Sequence, residues 1–199
     1  MTDGQIDKAV DTYRTMLRKH RLELGSDAVQ HAFGQPGYVA EQVAVLRKYA
    51  EAVSSILIRH ATVNRTRTPM EAIDATGRIK YCNDNVVVTM PQGEGNKKKV
   101  FFFKPDASAY DKNGNISDDE VAKQFELRGL KPADPYTLAA ANEDDPAFAD
   151  DHPNGTHWKD AAGKWCYAAF LRWNDKRYVD VGRLDRDWND YWWFAGLRK

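Results

Sequence analysis

Cysteine is scarce in this chain: Cys82 and Cys166 are the only two in 199 residues. Two thiols in a chain of this size do not build a disulfide framework, which points to a reducing compartment, the cytoplasm. Long apolar runs are missing as well. Nothing approaches the roughly 20 residues that a membrane-spanning helix needs. The opening Met-Thr-Asp-Gly-Gln lacks the basic and apolar regions of a secretory leader. No membrane association is therefore expected. Net charge is absent too, since 29 basic residues balance 29 acidic ones, so no overall field attracts a polyanion. No internal repeat and no low-complexity tract is visible.

The chain does contain enough apolar material to fold. Hydrophobic residues make up 42% and aromatic residues 12%, and each buried aromatic brings about 150–250 Å² to a core. Charge is unevenly spread along the chain. Between Asp118 and Asp151 there are 10 acids against 3 bases, while residues 152–199 carry 9 bases and 6 acids. A solvated acidic connecting region accounts for the first of these stretches.

The opening residues read as helices. Ile6, Val10, Tyr13 and Leu17 share one helical face, and Leu24-Gly25 closes that stretch. Val39, Val43, Leu46, Ala50, Val53, Leu57 and His60 then repeat at steps of four and three, which predicts one helix of about six turns. Its apolar stripe has to face the first helix, the rest of the chain or a second copy. Thr68-Pro69-Met70-Glu71 is a capping box that opens a short helix. Arg78–Cys82 and Asn85–Met90 read as strands, and Lys99–Lys104 as a strand covered on both faces. Ser117 and Glu120 cap a further helix to about Arg128, and Asp134-Pro135 opens another through Ala141. Lys164–Trp173, Arg177–Arg183 and Tyr191–Leu197 look like a three-stranded meander, with Asn174-Asp175 as the first turn. The expected architecture is α+β. An N-terminal antiparallel helical hairpin, residues 1–64, precedes a mixed, mainly antiparallel sheet domain, residues 65–199, that is continuous with the hairpin or separate from it.

Four groups of residues suggest chemistry. Asp111 to Glu120 resembles a calcium loop, but neither register puts ligands and glycine at the required positions; an Asn-Gly turn before a capped helix explains it. Cys166 lies in an apolar strand, where a thiol is packing material and not a nucleophile. Asp150, Asp151, His152 and His157 are donors of the type that hold a divalent metal, which would activate a water for hydrolysis. Their spacing matches no zinc or two-metal signature. The aromatic tail is the most unusual feature. Neighbours on a strand point to opposite faces, so Trp192 and Trp193 cannot enter one core.

These patterns point to a non-catalytic interaction protein with no cofactor. Arg172, Trp173, Arg177, Trp192 and Trp193 would form an aromatic and arginine surface for a protein partner. Self-association through the Val39–His60 stripe would accompany it. Two alternatives remain: a metal-dependent hydrolase using the Asp/His cluster, and a single-stranded nucleic-acid binder that stacks bases on the rings. The neutral net charge argues against the latter, because phosphate neutralisation dominates that affinity.

Overall fold

The computed structural model describes residues 2–52, 54–183 and 187–199. The chain divides into two compact units, Met1–Val53 and Ser54–Lys199.

The first unit holds three helices, α1 (Asp3–Lys19), α2 (Ser26–Phe33) and α3 (Tyr38–Ala52). Thr2 caps α1 through a capping box with Gln5, each side chain accepting the other's backbone N–H. Gly37, at φ +95°, makes the turn into α3 in a conformation that a side chain resists. The Tyr13 and Tyr38 hydroxyls meet at 2.5 Å, and Phe33 packs edge-on against Tyr38 at 5.4 Å. No residue of α1 or α2 is buried.

The helix expected over Val39–His60 is corrected to one that ends at Ala52. Leu57 and His60 belong to strand β1 (Ile56–Thr62), and Val53 lies outside the described residues. The coincidence of four-three spacing hid a local alternation. Ile56, Ile58, His60 and Thr62 point outward, while Leu57, Arg59 and Ala61 point into a core. The boundary expected after residue 64 accordingly falls eleven residues earlier, after residue 53.

The second unit is built on one mixed sheet. Its strands, besides β1, are β2 (Ile79–Cys82), β3 (Lys97–Phe103), β5 (Leu130–Pro132), β6 (Asn154–Lys159), β7 (Trp165–Trp173), β8 (Lys176–Arg183) and β10 (Trp193–Arg198). The order is β1-β3-β10-β6-β7-β8-β2, with β5 beside the end of β10. Two pairings are parallel, β10 with β6 and β2 with β8; the others are antiparallel. A two-stranded ribbon, β4 (Asn115–Ile116) with β9 (Trp188–Asn189), lies apart. The tail departs from a simple meander. β7 and β8 form the hairpin, turning through Asn174 and Asp175 at φ 46° and 59°, the primed geometry that matches strand twist. β10 crosses to lie between β3 and β6 instead.

Both faces of the sheet are covered at its centre, which explains the apolar run Val100–Phe103 in β3. On the first face Leu57, Val100, Phe102, Phe170 and Val179 meet four helices. These are α4 (Pro69–Asp74), α5 (Asp84–Val87), α7 (Pro135–Asp144) and α8 (Phe148–Asp151). On the second face Phe101, Phe103 and Phe194 meet α6 (Asp118–Leu127) and the β4–β9 ribbon. Phe103 stands edge-on to Phe125 of α6 at 5.0 Å. Among the described residues, the first-face core begins at Leu57 and the second-face core at Phe101. The strand expected over Asn85–Met90 is corrected to α5, because the Asn83 side chain accepts the Asn85 N–H and starts a helix.

Candidate functional site

The five residues expected to form one surface lie in separate environments. Trp192 is only 9% exposed, packed edge-on against Trp188 at 5.4 Å in the second-face core. Trp193 is half-buried on the first face and meets His152 at 5.3 Å. Arg172 and Arg177 face each other across the β7–β8 hairpin and both reach Asp150 of α8. Arg177 makes the closer pair, at 2.6 Å, and this bond holds the Asp150 carboxyl below its usual range. Trp173 is the most exposed of the five rings and guanidinium groups, at 62%, while Arg172 and Arg177 are also exposed.

Trp173 has exposed neighbours that the sequence did not single out. On the second face of β7, β8 and β2, Trp173, Ile79 and Tyr81 are exposed and Tyr178 is half-buried. Tyr178 sits 6.4 Å from Trp173 and 5.5 Å from Tyr81, ring centroid to ring centroid. Tyr81 is 62% exposed, and Ile79 and the half-buried Leu171 flank Tyr178 on its neighbouring strands. The result is a continuous aromatic ledge beside β2, the last strand in the sheet order. Alternation on β2 and β8 produces it; the missing signal was the parallel pairing of two strands almost a hundred residues apart.

The Asp/His cluster does not assemble. Asp150 is engaged by the two arginines, Asp151 is exposed, and His152 stacks on Phe148 at 5.1 Å. His157 points to the other side of the sheet. Among the described residues no group of three or more His, Cys, Asp or Glu is placed to hold a metal. Asp111, at the start of the calcium-like stretch, accepts the backbone N–H groups of Asn113 and Asn115 at 2.8 and 2.9 Å, a turn stabilised by its own side chain.

His157 has a different setting. It is 2% exposed, and its Nδ1 lies 2.6 Å from Asp118 Oδ1 at the start of α6. A carboxylate only accepts, so Nδ1 donates to Asp118. The same Asp118 oxygen accepts the Trp188 indole N–H at 3.0 Å. Gly155 permits this arrangement: a Cβ there would come within 2.9 Å of the Trp188 ring. Trp165 stacks on the imidazole at 4.4 Å and donates to Asp119. His157 Nε2 has no hydrogen-bond partner.

That imidazole lines a cleft of about 580 Å³, within the usual range for small-molecule sites. The cleft opens where β10 leaves β6. The two pair only through Trp193–Asn154 and Phe194–Gly155, and the end of β10 turns to β5. Lys98, Lys131 and Lys159 stand on its walls beside Glu94 and Asp134. Arg65 fixes the loop that closes one side, donating to the Gly95 carbonyl, Asp134 and the Thr137 hydroxyl.

Both thiols are held protonated. Burial pushes Cys82 up to about 11 and also raises Cys166, so neither is an activated nucleophile. No helix among the described residues is long and apolar enough to cross a membrane. Geometry thus defines a two-faced α+β domain with an aromatic ledge and a lysine-rimmed cleft. Comparison with protein-family models, with curated proteins and with solved structures finds no match.

Proposed function

We propose that the chain is a non-catalytic binding protein that offers the ledge of Ile79, Tyr81, Leu171, Trp173 and Tyr178 to a protein partner in the cytoplasm. The observation that supports this is the contiguity of large exposed rings at a sheet end, where two of them are 62% exposed. Exposed apolar patches of this kind mark interaction sites, and Trp and Tyr dominate the energetic centres of protein interfaces. β2 ends the strand order, so an extended segment of the partner would add backbone hydrogen bonds there. The two unpaired, protonated thiols suit a reducing compartment.

A photoreactive amino acid at position 173, compared with one at the exposed Leu127 on α6, tests the reading in the native cell. A discrete protein adduct is expected at 173 and not at 127, and Tyr81→Ala should reduce it by roughly tenfold or more. The same adducts at both positions would refute the ledge.

A second reading concerns the first unit. Val39, Val43 and Leu46 of α3 are at least half exposed, and a stripe of that spacing suits a second copy of the helix. Sedimentation at rising concentration would show a dimer that Val43→Asp removes. A monomer throughout would end this reading.

A further inference from the structure

The lysine-rimmed cleft is separate from the ledge and takes a different kind of ligand. Lys98, Lys131 and Lys159 are drawn from three strands, β3, β5 and β6. None is ion-paired with a carboxylate among the described residues; Lys159 instead lies over the Trp165 ring at 4.5 Å. Of the two acids on the walls, Asp134 is neutralised by Arg65, which leaves Glu94 alone. Three ammonium groups against one carboxylate leave a local charge near +2 in a chain whose net charge is zero. A phosphate monoester, at about −1.5 to −2 near neutral pH, balances that charge; a monocarboxylate does not.

His157 supplies an independent pointer. A buried polar atom without a partner is rare enough to call for a reason. Here the ring is fixed by Asp118 and Trp165, and His157 is among the residues that line the cleft. A hydroxyl, which can both donate and accept, is the group that satisfies its Nε2.

We infer that the cleft at the diverging ends of β6 and β10 binds a small phosphorylated molecule bearing a hydroxyl. The phosphate is held by Lys98, Lys131 and Lys159, and the hydroxyl hydrogen-bonds to His157 Nε2. This site stands whether or not the ledge binds a protein.

The test is a titration of the full chain, labelled with ¹⁵N-histidine, followed at the His157 ring nitrogens by NMR. Glycerol 1-phosphate is expected to shift Nε2 saturably, glycerol to leave it unmoved, and inorganic phosphate to bind more weakly than the ester. The exposed pair Lys131→Gln/Lys159→Gln should weaken glycerol 1-phosphate by about tenfold or more while the thermal midpoint stays in place, each charged contact being worth about 1.5–3 kcal/mol at most. Lys98→Gln, tested alone, should weaken it in the same direction. No His157 shift with either phosphate compound at roughly 10 mM, above the millimolar affinity of a weak anion site, would overturn the inference. So would unchanged binding in the lysine variants, or a response only to an oligothymidylate strand.

Discussion

The two units of this chain treat apolar residues in opposite ways. In residues 54–199, Phe102, Phe103, Phe125, Phe170 and Phe194 are completely buried, distributed over both faces of one sheet. In α1, the residues Ile6, Val10 and Tyr13 share a helical face and are all exposed. Burial of apolar area is the main favourable term in folding, so the second unit, which buries far more of it, is expected to carry most of the stability. The same difference operates within the second unit. Its cores take Trp188 and Trp192, while Trp173 and Tyr81 are left outside.

Substitutions can break or sharpen this contrast. The largest effect is expected at Phe194, whose ring meets Trp188 at 5.2 Å and Phe103 at 6.3 Å. Phe194→Ala should cost about 3–5 kcal/mol, read as a fall in the urea midpoint. Next comes Gly155→Ala, whose methyl would press on Trp188; a loss of about 1–3 kcal/mol is expected, with a change in Trp fluorescence.

Asp150→Asn should cost about 1 kcal/mol at pH 7, and the effect has a definite pH dependence. The native carboxyl is held low, chiefly by the Arg177 hydrogen bond, so its contribution is complete above the unfolded value near 4. It disappears as pH falls through the lower native value, where wild type and variant should converge in denaturation curves. Smallest is Val43→Ala on α3, expected to change monomer stability by less than about 0.5 kcal/mol. A loss there as large as at Phe194 would erase the distinction between the units.

Much of the fold was legible because local chemistry and tertiary structure agree. The Thr68 box, the Ser117 cap and the Asp134 cap all start helices at the expected residues. The run Val100–Phe103 needed cover on both faces and has it. Trp192 and Trp193 divide between the faces as strand alternation demands. Errors arose where two periods overlapped, as in Ile56–Thr62, or where β-branched Val86 and Val87 were claimed by a cap and a core instead of a ladder.

The sites were less legible. His157 was visible as a histidine, but its partner Asp118 lies 39 residues away and reads locally as a first-turn acid. The ledge depends on which strand β8 chooses as its second neighbour. Strand alternation gives the face of each ring; strand order decides whether anything covers it.

Hydrogen exchange of the isolated monomer, resolved by mass spectrometry, tests the contrast most directly. Amides of β3, β6, β7 and β10 should exchange only through global unfolding, and those of α1 to α3 orders of magnitude faster. Helices as well protected as those central strands, in a chain shown to be monomeric, would contradict the assignment of stability to the second unit.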